Sequence, residues 1–309
     1  MSHETTFSHS AGFKYSPAPV YFDRLTPHPP ARRPHVVMLH GGNHTGSCYL
    51  MTADERPGWA YRFVRRGYPV IVPDWPGHGR SGALNLDTLT GEMVCQGLAS
   101  MIADLPGPVA LVNHSMGGAL GWRIAELCGN QITAIIGVAP GPPGNIQPAP
   151  EVLSETDDTV VLRTPFRTLT LNKRGAIYPD RSFVEDKLIG SSQQFPRERI
   201  DAYASLLTPV GSRLLYERLN VRMSQVRIQN TTFFADKPVM IVTGSDDLEH
   251  PRAVDKVLGS WLAECGVATR LAWLPDQNIN GNGHMMMMER NSDQIADFVL
   301  DWLGEHIAS

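Results

Sequence analysis

Cysteine is scarce in this chain of 309 residues: Cys48, Cys95, Cys128 and Cys265 are scattered, with no Cys-x-x-Cys pair and no histidine at zinc-ligand spacing. A zinc site is therefore not indicated, and the four read as buried or half-buried thiols. Basic residues are also in short supply. Against 31 Asp and Glu there are 27 Lys and Arg, for a net charge of −4, so no basic stripe is available for nucleic acid. No stretch approaches 18 uninterrupted apolar residues, which excludes a membrane-spanning helix. The first twenty residues, beginning Met-Ser-His-Glu-Thr-Thr, have neither a basic start nor an apolar segment. They do not read as a signal peptide, and a cytoplasmic location is the expectation. The glycine-rich turns hold no Gly-x-x-x-x-Gly-Lys phosphate loop, and there is no internal repeat.

What the chain does have is a hydrophobic content of 42%, enough at this length for one large domain with an insertion. Apolar runs at 20–25, 36–39, 68–73, 109–113, 132–138, 239–243 and 269–274 read as strands. Between them, helical spacing is seen at 58–66, 89–104, 116–128, 251–265 and 292–306. Such alternation predicts an α/β fold with a mainly parallel sheet covered by helices on both faces. The pattern breaks from 141 to 235, which opens with Pro142, Pro143, Pro148 and Pro150 and shows helix-like stretches at 197–207 and 212–226 but no parallel-strand signature.

Residues 110–118, Ala-Leu-Val-Asn-His-Ser-Met-Gly-Gly, place a serine at the tip of an apolar strand and directly before a glycine-rich helix start. A strand–turn–helix junction of this kind lifts a hydroxyl off the backbone and aims the following N–H groups at an oxyanion. Ser115 is thereby a candidate nucleophile, the competing reading being a helix N-cap. Gly117 supplies the small residue two positions later. Two positions earlier, Asn113 replaces the usual glycine, and asparagine tolerates unusual backbone angles.

Four further motifs end or follow the strands: His40-Gly-Gly42, Asp74-Trp-Pro-Gly-His-Gly-Arg-Ser-Gly82, Gly244-Ser-Asp-Asp247 and Gly283-His284. In identity, order and spacing they resemble the α/β-hydrolase superfamily, over about residues 35–140 and 237–306. The resemblance implies the α/β-hydrolase fold, with the core in 1–140 and 236–309 and a cap, or lid, inserted at 141–235. It also implies roles. A serine hydroxyl needs an adjacent base, for which histidine has a suitable intrinsic pKa, and the superfamily carries that base where His284 stands. His40 and His78 belong to turns, and His114 flanks the nucleophile on the wrong side. Asp247 occupies the common position of the carboxylate that orients the base, with Asp246 as its competitor. The oxyanion hole is implied at the backbone N–H groups of Gly42 and Met116, with Asn43 next in line.

The tail Gly281-Asn-Gly-His-Met-Met-Met-Met-Glu-Arg-Asn-Ser-Asp-Gln-Ile-Ala-Asp297 is similar to that of a subgroup of bacterial esterases, in which the acid can be a glutamate after the sixth strand in a Glu-Pro-Gly context. Here the segment is Val138-Ala139-Pro140-Gly141, and Ala139 cannot serve. The implied activity is that of a cofactor-free serine esterase or lactonase acting on a small molecule through an acyl-enzyme, esters being favoured by fold analogy. The alternatives are C–C bond hydrolysis or a lyase reaction on the same triad, and a hydrolase-fold binding protein with little turnover. No metal is indicated: thioethers bind soft ions, but four consecutive methionines point in different directions and are ordinary filler beside apolar pockets. The oligomeric state is open, a homodimer being common among soluble enzymes.

Overall fold

In a computed structural model that describes residues 6–30, 32–164 and 167–307, the apolar runs assemble into one eight-stranded sheet. Its first six strands are β1 (Thr6–Lys14), β2 (Val20–His28), β3 (His35–Leu39), β4 (Val70–Pro73), β5 (Val109–His114) and β6 (Ile132–Val138). A separate sheet of β7 (Glu151–Glu155), β8 (Thr159–Arg163) and β9 (Thr168–Asn172) follows, then a short pair, β10 (Ala176–Ile177) and β11 (Val210–Gly211). The main sheet is completed by β12 (Val239–Thr243) and β13 (Thr269–Trp273). Its spatial order is β1-β2-β4-β3-β5-β6-β12-β13. β2 runs antiparallel to both β1 and β4, and every other neighbouring pair is parallel.

Every residue of β4, β5 and β12 is buried, because helices cover both faces of a parallel sheet and leave its strands no polar side. The helices are α1 (Ser47–Leu50), α2 (Trp59–Arg65), α3 (Gly91–Ala103), α4 (Met116–Cys128), α5 (Ile200–Ser205), α6 (Ser212–Arg218), α7 (Arg252–Glu264) and α8 (Ser292–His306). Alternation along β3 divides the core: Val36 and Met38 pack with Phe63 of α2 and Val299 of α8, Val37 and Leu39 with Leu98 of α3 and Trp122 of α4. Met285 to Met288 are all buried on the α2/α8 side as part of that core. The thiols are free, Cys48 and Cys95 buried and Cys128 and Cys265 half-buried.

β4 lies on one side of β3 and β5 on the other, so the chain reverses its direction of travel across the sheet at β3. Such a reversal opens a crevice at the carboxyl ends of the strands. The loops after β3, β5, β6 and β12 all leave from that end.

Four features differ from the sequence reading. β1 is a largely exposed strand held by nine paired positions with β2, from Thr6↔His28 to Lys14↔Val20. The segment 141–235 contains the antiparallel sheet β7–β9, whose Val160, Leu162 and Leu171 bury a small cluster of their own with Val221. Within it, the helix expected over 212–226 stops at Arg218: Asn220 takes a left-handed φ of 55°, its amide donates to the Gln147 carbonyl and its Oδ1 accepts from Gln225 N–H (3.1 Å). The helix expected over 197–207 is a 3-10 turn, Arg197–Arg199, continued by α5.

Candidate active site

Ser115 is the turn between β5 and α4, with φ 52° and ψ −123°. A side chain in that region costs on the order of 1–3 kcal/mol and persists only where its surroundings impose it. Here the Ser115 N–H donates to Val138 O (3.2 Å) and its carbonyl accepts from Gly141 N–H (2.7 Å), which ties the turn to the end of β6. Gly117 lets α4 start directly on β3, since a Cβ there would lie 2.2 Å from the His40 carbonyl oxygen. The strained φ falls on Ser115 and not on Asn113, so the backbone tolerance of asparagine is not what admits it. Room is made opposite instead: a Cβ on Gly121 of α4 would meet Asn113 Nδ2 at 2.5 Å.

His284 Nε2 lies 2.9 Å from Ser115 Oγ, and its Nδ1 lies 2.7 Å from Asp247 Oδ2. Facing a carboxylate, Nδ1 carries the proton, which leaves Nε2 as an acceptor for the serine hydroxyl. Burial opposes ionisation of Asp247, but the imidazoles of His284 and then His250, with the Glu249 N–H at 3.1 Å, hold its pKa well below the usual carboxylate range. Asp246 turns elsewhere. Its Oδ1 accepts from Ser245 Oγ (2.7 Å) and its N–H donates to Asn282 O (2.9 Å).

Three residues without an assigned role in the sequence reading hold this line in place. His114 Nε2 donates to the His284 carbonyl (3.0 Å). The His250 ring stacks on that of His284, with centroids 5.5 Å apart and planes at 22°. Buried Glu289 accepts from Gly283 N–H (2.9 Å), Ser192 Oγ (2.5 Å) and Asn282 Nδ2 (2.6 Å), fixing the segment that leads into His284. Glu289 lies inside the esterase-like tail and His114 inside the 110–118 motif, but nothing in the sequence singled out either for this role.

The His-Gly-Gly loop sits beside the serine. Burial lowers the pKa of His40 to about 4, so it is neutral, stacks on Trp75 and accepts from the Trp75 N–H (3.2 Å). His44 is likewise neutral, lowered by burial to about 3. Its Nδ1–H donates to Gly42 O (2.8 Å) and its Nε2 accepts from the Tyr203 hydroxyl (2.8 Å) of α5. Asn43, at φ 62°, exchanges two bonds with Thr208: Thr208 N–H to its carbonyl (2.9 Å) and its Nδ2 to Thr208 O (3.0 Å). Gly42 faces Met116, where an added Cβ would lie 3.1 Å from Sδ. Over Met116, Leu120 of α4 and Leu214, Arg218 and Val226 of the excursion enclose a cleft of about 10 Å³, room for about one water. A wider cleft of about 370 Å³, between Arg33, Arg66, Tyr68 and Asp301, touches none of these residues.

The sequence from residue 36 to residue 298 matches the pattern of the alpha/beta hydrolase family. The chain belongs to the alpha/beta hydrolase family. Among curated relatives of this alpha/beta hydrolase, a probable secreted lipase, phiG, of a fungal species is 23% identical over 97% of this chain and 90% of its own. A 2-hydroxy-6-oxo-6-phenylhexa-2,4-dienoate hydrolase of Burkholderia cepacia is 34% identical, over 34% of this chain and 36% of its own. Among solved structures, a bacterial esterase superposes with a TM-score of 0.58 at 19% identity, covering 98% of this chain and 95% of that one. A monoacylglycerol lipase of Paleococcus ferrophilus gives 0.61 at 17% identity, with 93% and 99% covered. At these identities the superpositions show a shared fold. Among the described residues, no helix is long and apolar enough to cross a membrane.

Proposed function

We propose that the protein is a serine hydrolase cleaving a carboxylic ester or lactone through a Ser115–His284–Asp247 triad. The observation that carries this reading is the unbroken hydrogen-bonded line from Ser115 Oγ through both nitrogens of His284 to Asp247, at 2.9 and 2.7 Å. Ser115 Oγ attacks the carbonyl carbon as its proton passes to His284 Nε2, and ionised Asp247 stabilises the imidazolium. The oxyanion is received by the N–H groups of Met116 and Gly42. Met116 is the first residue of α4, where a helix leaves its N–H groups without intrahelical partners, and Gly42 packs beside it. The tetrahedral adduct collapses by breaking the C–O bond, and the leaving alkoxide takes the proton from His284. Water, deprotonated by the same nitrogen, then attacks the acyl-serine and releases the acid.

Residues 141–235 act as a cap on a core formed by 1–140 and 236–309. Support comes from the bonds of Tyr203 and Thr208 to the loop at Asn43 and His44, and from Leu214 and Arg218 facing Met116. The names lipase and esterase among the relatives favour an ester bond, while the Burkholderia relative favours C–C hydrolysis on the same triad.

A panel of esters, lactones and vinylogous diketones, assayed before and after a fluorophosphonate has modified Ser115, tests the reading. Ester or lactone turnover that disappears with labelling is the expected result. Turnover confined to the diketones would transfer the site to C–C hydrolysis, and labelling without turnover of any substrate would make it a binding site.

A further inference from the structure

Among the described residues, Arg218, in the last turn of α6, is a cation with no carboxylate at ion-pair distance. Its guanidinium lies against Gly141, where an added Cβ would be 2.6 Å from Nη2 and 3.0 Å from Cζ and Nε. Gly141 is the residue whose N–H holds the Ser115 carbonyl (2.7 Å), so the guanidinium packs on the segment that supports the Ser115 turn. Arg218 also lines the cleft over Met116, together with Glu217, Gln225 and the apolar side chains of Ala119, Leu120, Leu214 and Val226.

Among the described residues, no carboxylate lies within 4.0 Å of the guanidinium. Its side-chain hydrogen bond is to a neutral group, Nη1 to Gln147 Oε1 (3.1 Å). The acids nearby are committed: Glu217 accepts from Gly91 N–H (2.7 Å) and Arg213 Nε (2.7 Å), and Glu249 pairs with Lys187 (2.8 Å). Burial lowers the pKa of Arg218, with Glu249 opposing, a sign that water solvates the cation poorly. A partly desolvated charge against apolar walls is costly unless an opposite charge arrives. The planar guanidinium fork is matched to a carboxylate, to which it can donate two parallel bonds.

We propose that Arg218 is a substrate-anchoring residue, and that the preferred substrates are small esters carrying a free carboxylate that pairs with it. This rests on the ester-cleaving reading of Ser115.

The test compares monomethyl glutarate, an anion at neutral pH, with neutral dimethyl glutarate, using the wild-type protein, Arg218→Gln and Arg218→Lys. In the wild type, kcat/KM for the half-ester should exceed that for the diester by about tenfold or more, as expected when a partly desolvated charge pair forms. Arg218→Gln should bring the ratio to about one, chiefly through KM, and Arg218→Lys, which keeps the charge but not the fork, should retain part of it. A wild-type ratio at or below one overturns the proposal, whether or not the glutamine variant folds. So does an unchanged ratio in a glutamine variant that still labels with fluorophosphonate. Protection of Ser115 from that label by glutarate separates this from the chemistry. Protection that weakens at least about tenfold in Arg218→Gln, with neither ester hydrolysed, sustains the anion site and removes the ester reading. Hydrolysis of both esters with equal protection in the two proteins does the reverse.

Discussion

Replacing Ser115 by alanine is expected to lower kcat by about 10⁴-fold or more while leaving the protein folded, as when the nucleophile of a triad is removed. The hydroxyl lies 2.9 Å from His284 Nε2, and no step of the proposed reaction proceeds without it. The cost to the fold is small, because the substitution deletes a single hydrogen bond of about 1 kcal/mol and keeps a residue with a Cβ at the strained φ. Steady-state kinetics on the best ester, with urea unfolding as the control, checks both halves. A variant that retains a tenth of wild-type activity in a clean preparation would remove Ser115 from the mechanism.

Asp247→Asn is expected to cost about 10³- to 10⁴-fold in kcat with little change in binding, because the imidazole loses the anion that sets its tautomer and stabilises its cation. The neighbouring Asp246→Asn should cost less than about tenfold. Asp247 Oδ2 is 2.7 Å from His284 Nδ1, whereas the Asp246 carboxylate takes the Ser245 hydroxyl instead. Adjacent residues leaving β12 point apart, which is why one of the pair reaches the ring. Measuring the two variants side by side decides between them. The reverse ranking would move the acid to Asp246, and two active variants would mean that neither aspartate orients the base.

Much of this arrangement was legible because it rests on local patterns. Continuous apolar runs such as Val-Ile-Val at 70–72 and Val-Met-Ile-Val at 239–242 can be accommodated only by strands covered on both sides. Ser115 and Asp247 follow such strands, and the resemblance of their motifs and of Gly283-His284 to the α/β-hydrolase superfamily implied that the three meet. β1 gave no such signal: its sequence, Thr-Phe-Ser-His-Ser-Ala-Gly-Phe-Lys, is mostly polar because the strand is exposed at the edge, and pairing with β2 defines it. The excursion was opaque for a related reason. Its small sheet buries few side chains, and the chain turns at Asn220 through a left-handed backbone fixed by bonds to distant Gln147 and nearby Gln225. Asn113 was read through its own backbone tolerance, whereas the missing Cβ at Gly121, a residue on the next helix, is what makes room for it. The contacts of Tyr203 and Thr208 with the loop after β3 span 159 and 165 residues of sequence, and no spacing rule anticipates them.

The account turns on a covalent acyl-serine, and the mass of the enzyme during turnover tests it most directly. A slowly deacylating aryl ester, quenched in acid within the first turnover, should add one acyl group to the protein, mapped by peptide fragmentation to Ser115 and missing in Ser115→Ala. An enzyme that turns the ester over at full rate with no adduct, or with the acyl group on another residue, would contradict it.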